Sequence, residues 1–352
     1  MDEYSPLVKI IGVKGNLFRQ LPKSGCWGNV RFTLDRTASN YDWLVVYDDV
    51  KAHQSSKFSE EKLACPKENT ILITYEPSAV KIYGSDFTKQ FAFVLTCHED
   101  WVLRHQQKIP MHPASSWYYG MNLEADYSYD ALKKVPPLEK TATLSTICST
   151  KQQTHTLHNQ RYQFTKKLSQ LLPALDWFGH GVHPLKDKSE AMDSYRYHLA
   201  VENHVCPHYW TEKLADSFLA YCLPFYYGCP NATEYFPADS LIEIDINDVE
   251  KTAHIIQEAI SNDSYQKRLP AIIEARRRVL EEHNFFSVVA RFINTQPSSL
   301  QTENSARADI IYSRRTLIAR SPIKAIRYLS EKLYYHQKFK SLYKNKTMSN
   351  KQ

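Results

Sequence analysis

The sequence predicts an α/β protein that consists of two lobes and a basic C-terminal tail. The chain has 352 residues, of which 43% are hydrophobic, and this is ample for two cores of roughly 130–170 residues each. Short apolar runs alternate with stretches of helical spacing along most of the chain, and lysine and arginine are concentrated near its end.

Four uninterrupted apolar runs predict the strands of the first lobe. They are residues 7–13, 43–47, 70–74 and 91–95. Runs of this kind are typical of parallel strands that helices cover on both faces. The alternation breaks at 133–140, where Pro136, Pro137 and mixed charges predict a linker. We therefore assign residues 1–132 to the first lobe.

The alternation of strands and helices restarts after the linker. Strands are predicted at 142–148, 175–178, 195–201, 224–227 and 241–246, with helices at 212–222 and 249–260 and one more that carries Phe164, Leu168, Leu171 and Leu172 on its apolar face. Because this is βαβ alternation again, residues 141–300 are assigned to a second lobe and residues 301–352 to the tail.

Charge separates the tail from the rest of the chain. Residues 306–352 contain twelve Lys or Arg and two acids, a charge of about +10, whereas residues 1–305 carry about −4. A mildly acidic body argues against a surface built as a whole for nucleic acid, so no nucleic-acid partner is expected.

The tail has the pattern of a basic amphipathic helix. Ser321 and Pro322 match an N-cap followed by proline at the first helical position. The apolar side chains that follow fall on one stripe, namely Ile323, Ile326, Leu329 and Leu333. Such a helix suits an anionic membrane surface, and a disordered, solvated tail is the alternative.

Two further patterns bear on location and redox state. The first residues lack the basic cluster of a secretory signal, and no apolar run approaches the roughly 20 residues of a membrane span. We therefore expect a cytoplasmic protein, peripheral on the inner face of the membrane. The seven cysteines are scattered without a Cys-x-x-Cys pair, which predicts neither a disulfide framework nor a zinc site.

The densest polar chemistry follows the predicted strand 195–201. Glu202 and Asn203 end this strand, and Thr211, Glu212 and Lys213 open the next helix. Strand ends that meet a helix N-terminus form the usual ligand position of open α/β sheets. A lysine in a first helical turn opposes the helix dipole, so Lys213 favours a bound anion. Merely solvated charges are the alternative for Glu212 and Lys213.

These residues resemble the signature of the family 10 fucosyltransferases. The resemblance consists of the run Tyr195-Arg196-Tyr197-His198-Leu199-Ala200-Val201-Glu202-Asn203, then Tyr209-Trp210-Thr211-Glu212-Lys213, Pro224-Phe225-Tyr226-Tyr227-Gly228-Cys229-Pro230-Asn231 and Tyr235-Phe236-Pro237. It extends more faintly over residues 70–290. It implies a GT-B enzyme with two Rossmann-like lobes and an interlobe cleft, in which the second lobe binds a sugar nucleotide and the first holds the acceptor.

The resemblance also implies roles for individual residues. Asn203, Tyr209 and Glu212 would contact the nucleoside and donor sugar, while Lys213 would hold the diphosphate. Arg161 is the counterpart of the second diphosphate cation of the family. A local ion pair is the alternative for Arg161. The long loop at 150–158 departs from the family pattern, and His155 or Lys151 in this loop is a further candidate to share the phosphate role.

A candidate general base follows the predicted strand 70–74. Glu76 stands where the family has its proposed base, with Glu99 as the reserve and a turn-capping role as the alternative for Glu76. The acidic pairs at 48–49 and 245–248 are interpreted as turn formers rather than as an Asp-x-Asp metal motif. We therefore expect neither a catalytic metal nor another cofactor.

The function that the resemblance implies is inverting, metal-independent transfer of L-fucose from GDP-fucose to a hydroxyl of a surface oligosaccharide or lipopolysaccharide-type glycan. Two alternatives remain open at this point. One keeps the fold but uses another nucleotide sugar. The other is a non-catalytic protein that binds a sugar nucleotide or a glycan.

Overall fold

The computed structural model describes residues 4–12, 17–50, 59–124, 126–152, 156–296 and 309–349. The chain divides into two compact units. The first takes its described residues from the segments 4–17, 21–113 and 286–342, and the second takes them from 18–20, 114–285 and 343–349. Each unit has its own parallel sheet, which confirms the predicted α/β class and its two Rossmann-like lobes.

Fourteen strands occur among the described residues. In chain order they are β1 (Leu7–Ile11), β2 (Cys26–Trp27), β3 (Val30–Thr33), β4 (Trp43–Tyr47), β5 (Glu60–Lys62), β6 (Thr70–Ile73), β7 (Phe93–Thr96), β8 (Lys108–Pro110), β9 (Ala142–Ile147), β10 (Leu175–Phe178), β11 (Tyr195–Val201), β12 (Leu223–Tyr227), β13 (Ile242–Glu243) and β14 (Ile310–Tyr312).

The described α-helices are α1 (Ser85–Thr88), α2 (Tyr129–Leu132), α3 (His158–Leu171), α4 (Glu212–Leu219), α5 (Val249–Ser261), α6 (Ser264–Glu281), α7 (Phe285–Asn294), α8 (Arg314–Arg320) and α9 (Pro322–Ser349). Helix α4 ends three residues before the predicted position 222, and Tyr221 then adopts a left-handed conformation with φ of 57°. The strand predicted at 241–246 is reduced to the two residues of β13.

The sheet of the first unit has seven strands in the order β2-β3-β1-β4-β6-β7-β8. All neighbours are parallel except β2 and β3. Every residue of β4 and β6 is buried, as expected for strands that helices cover on both faces. The sheet therefore presents the carboxyl ends of β6 and β7 side by side.

The residues after 308 differ from the predicted separate tail. Strand β14 pairs antiparallel with β5, and Ile311 and Leu317 are buried in the core of the first unit. Arg314 Nε lies 2.9 Å from Asp49 Oδ2, and Ser85 Oγ donates to Glu331 Oε1 at 2.6 Å. Strand pairing, buried side chains and these polar contacts together hold the segment on the first unit, and α9 is helical.

The sheet of the second unit has five parallel strands in the order β10-β9-β11-β12-β13. The end of β11 pairs in register with the end of β12, where Val201 lies opposite Tyr227. The chain thus runs from β9 outward to β10 and then crosses back to β11. Such a reversal of strand order is the topological switch point of a doubly wound sheet.

The unit boundary falls after Pro113 rather than at the predicted positions 132 and 133. Asp187 explains part of this difference, because its carboxylate accepts hydrogen bonds from the backbone N–H groups of Gly120 and Asn122. The predicted linker is also held by the second unit, since Lys140 Nζ donates to the carbonyl of Ala220 at 2.6 Å. Adjacent prolines make this segment extended without separating it from the unit.

Replacing Leu317 by alanine tests whether residues beyond 308 stabilise the first unit. Its side chain is 6% exposed, and the cavity left by the substitution should lower the free energy of unfolding by about 2–5 kcal/mol. Leu329→Ala is the matched control, because Leu329 is 54% exposed and its truncation should change stability by no more than about 0.5 kcal/mol. Hydrogen exchange of the β4 and β6 amides in urea measures the first unit separately, and equal effects of both substitutions would contradict this assignment.

Candidate active site

A cavity of about 130 Å³ opens at the switch point of the second unit. Its walls come from the end of β9 at Ile147, from the last four residues of β11, from Met192 and from four charged side chains, which are Arg161, Lys188, Glu212 and Lys213. Ligands of open α/β sheets bind outside the carboxyl ends of the strands at such a point. Three of the residues selected from the sequence, Arg161, Glu212 and Lys213, therefore line one cavity at the expected position.

A buried carboxylate fixes the geometry of this cavity. Glu202, which is completely buried, follows β11 and accepts hydrogen bonds from the backbone N of Thr211 at 2.8 Å and from its hydroxyl at 2.7 Å. Thr211 is the N-cap of α4, and its hydroxyl accepts from the backbone N of Lys213. Glu202 thus ties the end of a strand to the start of the helix that carries Glu212 and Lys213.

Gly228 is required beside this carboxylate. Since β11 and β12 pair in register up to Val201 and Tyr227, the next residues, Glu202 and Gly228, lie side by side. A Cβ atom at position 228 would lie 2.4 Å from Cγ of Glu202. A side chain there would displace Glu202, which explains the glycine that follows the paired tyrosines.

Lys213 and Glu212 are both charged in this setting. The Nζ of Lys213 lies 3.2 Å from Glu212 and 3.3 Å from Glu202. Burial alone lowers the pKa of Lys213, but these two carboxylates outweigh it and hold the pKa above its ordinary value. Burial likewise favours neutral Glu212, yet Lys213 and Lys188 hold its pKa down at about 2.

Lys188 is a cavity residue that the sequence analysis missed. Its Nζ lies 2.7 Å from the buried carboxylate of Asp216 on α4 and 3.8 Å from Glu212. Burial raises the pKa of Asp216 to about 6 despite the nearby lysine. The capping box of Asp187 and Glu190 predicts the turn that begins at Lys188. It does not predict that the side chain of Lys188 faces Asp216 and the cavity.

Arg161 lies in the first turn of α3 and donates to the carbonyl of Ile147 at the end of β9. No carboxylate of the described residues lies within ion-pair distance of Arg161, which disfavours the alternative of a local ion pair. Burial, with Lys188 and Arg161 nearby, lowers the pKa of His198 to about 3, so this cavity residue is neutral. Three cations therefore face the cavity.

The remaining residues proposed for the donor lie outside this lining. The hydroxyl of Tyr209 donates to Oδ1 of Asn203 at 2.7 Å, and Tyr209 is buried. Asn203 and Tyr209 therefore contact one another close to Glu202, but neither residue lines the cavity that Arg161, Lys188 and Lys213 face. Lys151 is exposed and does not line the cavity, and His155 lies outside the described residues.

In the first unit, Glu76 and Glu99 follow the neighbouring parallel strands β6 and β7. Nε2 of His98 donates to the backbone carbonyl of Glu76 at 2.9 Å, and Ser78 Oγ donates to the carboxylate of Glu99 at 2.6 Å. These bonds join the two strand-end loops to one another. Glu76 is partly exposed, as a residue that exchanges a proton with a ligand must be.

The acidic pairs act as turn and cap residues. Asp245 accepts from the backbone N of Asn247, and Asp248 is the N-cap of α5. Asp48 accepts from the hydroxyl of Tyr83 at 2.7 Å, and Asp49 pairs with Arg314. Each of these carboxylates therefore accepts a hydrogen bond from a protein group or forms an ion pair with one.

Comparison with known proteins bears on the same segment. Residues 137–268 match the family model "Glycosyltransferase family 10 (fucosyltransferase) C-term". An alpha-(1,3)-fucosyltransferase, FucT of Helicobacter pylori, is 30% identical over 60 residues, which are 17% of this chain and 13% of that protein. The aligned part is thus a small share of the relative's length.

Solved structures of similar proteins include two of alpha1,3-fucosyltransferase. One aligns with a TM-score of 0.48 at 14% identity, over 85% of this chain and 92% of the other. The second, with GDP-fucose, aligns with a TM-score of 0.44 at 15% identity, over 81% and 94%. The segment 137–268 contains the switch-point cavity and the whole signature seen in the sequence, so its match to the model confirms the resemblance of this segment to glycosyltransferase family 10.

Proposed function

We propose that the protein is an inverting, metal-independent glycosyltransferase that moves L-fucose from GDP-fucose to a hydroxyl group of a surface-type glycan. The observation that carries the proposal is the set of three cations, Arg161, Lys188 and Lys213, around a switch-point cavity inside the segment of family 10. The name of the Helicobacter pylori relative supports fucose as the transferred sugar.

The cation set suits a nucleoside diphosphate. Arg161 and Lys213 are the proposed diphosphate ligands, with Lys188 as a third cation on the same wall. Fixed cations stabilise the charge that develops on a leaving diphosphate without any reorganisation during the reaction. Glu212, Asn203 and Tyr209 are the proposed contacts of the fucose and guanosine groups.

The chemistry is a single displacement at the anomeric carbon of fucose. The acceptor oxygen forms a bond to that carbon from the face opposite the diphosphate, the bond to the phosphate oxygen breaks, and GDP leaves. Glu76 is the proposed base that takes the proton of the acceptor hydroxyl, as in other inverting displacements at sugars. Because lysine and arginine neutralise the leaving group in this scheme, no metal ion is needed.

Substitution of the proposed diphosphate ligands should weaken GDP binding. Arg161→Ala and Lys213→Ala each remove a charged partner of the diphosphate, which costs about 2–5 kcal/mol of binding free energy. Lys166→Ala is the matched control, since Lys166 lies exposed on the same helix as Arg161. Calorimetric titration with GDP and with UDP measures the affinity of each variant. Binding of UDP but not of GDP by the unsubstituted protein would refute the donor assignment.

Glu76→Gln should leave GDP binding intact and lower kcat by about 10²–10⁴-fold, which is the usual contribution of a general base. Glu68→Gln, at an exposed acid just before β6, is the control that should keep full turnover. Release of GDP from GDP-fucose with a glycan acceptor gives the rate, with and without EDTA. Near-normal turnover of the Glu76 variant would move the role to Glu99, and loss of activity in EDTA with rescue by Mn²⁺ would refute the metal-free scheme.

We further propose that the outer face of α9 binds an anionic membrane surface. Its apolar stripe, Ile323, Ile326, Leu329 and Leu333, is 54% to 70% exposed. Lys332 is exposed beside this stripe and Lys340 is exposed on the same side of the helix, whereas Arg327 pairs with Asp86 at 2.6 Å. Basic side chains contribute about 1 kcal/mol each near an anionic bilayer. None of the helices in the described part of the chain is long and apolar enough to cross a bilayer.

Substitution of the stripe tests this membrane role without removing β14 or α8 from the fold. The double variant Ile326→Gln, Leu329→Gln should lower binding to phosphatidylserine vesicles by at least about tenfold, since an apolar side chain contributes about 1.5–3 kcal/mol when it is buried. Val80→Gln, at an exposed apolar position elsewhere in the first unit, is the control. Vesicle co-sedimentation at two salt concentrations gives the affinity. Unchanged binding of the double variant would exclude the stripe as the contact.

A further inference from the structure

A second cavity, in the first unit, lies against the inner face of α9. It has a volume of about 420 Å³, within the range of about 300–1,000 Å³ that is usual for ligand sites. Tyr83 and His98 form part of its inner wall, while Trp101, Arg104, Tyr335 and Lys338 form an aromatic and cationic outer wall.

This cavity adjoins the loop that carries the candidate base. The hydroxyl of Tyr83 accepts from the backbone N of Tyr75 at 2.9 Å, and Nε2 of His98 donates to the backbone carbonyl of Glu76 at 2.9 Å. Two residues of the inner wall therefore contact the backbone of the Tyr75–Glu76 loop directly. A ligand seated against them lies one side chain away from this loop.

The charge of the lining favours an anion. Neither Arg104 nor Lys338 has a carboxylate within ion-pair distance among the described residues. The acid of the lining, Glu331, instead accepts hydrogen bonds from the backbone N and the hydroxyl of Ser85. Lys338 Nζ lies 4.0 Å above the ring centroid of Trp101, which holds the cation at the cavity wall.

The combination of aromatic rings and polar groups favours a sugar over a simple anion. Tyr334 and Tyr335 supply rings that suit the C–H faces of a pyranose, and Arg104 and Lys338 supply donors for its polar groups. A free phosphate ion needs neither the rings nor this volume. An apolar ligand would leave the two cations without a partner.

We propose that this cavity binds an acidic saccharide, with its carboxylate or phosphate group on Arg104 and Lys338, and that this saccharide is part of the acceptor. The identification with the acceptor rests on the proposed function, whereas the saccharide site itself does not. Arg104 and Lys338 are then specificity residues that select acceptors by charge.

The test is direct binding in the absence of donor. The probes are a disaccharide that ends in glucuronic acid, its counterpart that ends in glucose 6-phosphate, and the neutral counterpart that ends in glucose. Tryptophan fluorescence and saturation-transfer NMR report the binding. We expect at least one acidic probe to bind about tenfold or more tightly than the neutral one, and Arg104→Gln and Lys338→Gln each to abolish most of this difference.

Lys340→Gln is the matched control, because Lys340 is exposed on the opposite face of α9 and has the same charge. It should bind all three probes as the unsubstituted protein does. Circular dichroism melting establishes that each variant is folded, and Tyr335→Ala provides an independent test through the loss of a ring from the wall. Equal binding of acidic and neutral probes, or unchanged binding by both cation variants, would overturn the proposal.

Turnover separates this proposal from the proposed function. If fucose is transferred but the KM for acidic acceptors is the same in Arg104→Gln and Lys338→Gln as in the unsubstituted protein, the cavity proposal fails and the fucosyltransferase stands. If no sugar nucleotide turns over but an acidic probe binds in a manner that depends on Arg104 and Lys338, the cavity proposal stands as a glycan site and the fucosyltransferase fails.

Discussion

The buried carboxylate of Glu202 is the constraint on which the candidate donor site depends. It accepts from the backbone N–H and the hydroxyl of Thr211, the N-cap of α4, while it faces Lys213. One side chain therefore holds the N-cap residue, neutralises a lysine and joins the helix to the end of β11. Because an unpaired buried charge costs several kcal/mol, Glu202, Thr211 and Lys213 hold one another in place. Gly228 is part of the same constraint, since any side chain there meets Glu202.

Around this anchor, the cavity balances its charges before any ligand arrives. Lys213 faces Glu202 and Glu212, and Lys188 faces Asp216, whereas Arg161 donates to a backbone carbonyl. An anionic ligand would therefore meet two lysines that already face carboxylates and one arginine, Arg161, that faces none among the described residues. The low pKa of Glu212 and the raised pKa of Asp216 follow from the same arrangement, because Glu212 faces two lysines whereas burial dominates at Asp216.

Apolar and aromatic runs predicted the central strands of both sheets, whereas the short strands β2, β3, β5, β8 and β14 were missed because they lack such a run. Strands β4, β10 and β11 have the predicted bounds. The unit boundary was not predictable, since polar backbone contacts with Asp187 hold residues 120 and 122 without any apolar pattern. The role of Lys188 was not predicted, because its partner Asp216 is 28 positions away along the chain. The spacing of residues in a sequence predicts only contacts within one helix or strand. Residues 310–317 were assigned to the tail because of the charge that surrounds them, although Ile311, Ser313, Thr316 and Leu317 are buried.

Helix α9 presents different chemistry on its two sides. The outer side carries the exposed side chains of Ile323, Ile326, Leu329 and Leu333. The opposite side, half a helical turn away, carries Glu331, Tyr335 and Lys338, which line the cavity of about 420 Å³. A helix with its side chains is about 10–12 Å across. If the outer stripe lies on a bilayer, as proposed, the cavity is one helix diameter from the headgroups, and Tyr335 and Lys338 are held at a fixed height above them. Under these two proposals, one side of a single helix locates the first unit on the bilayer and the other side forms a wall of the acceptor cavity.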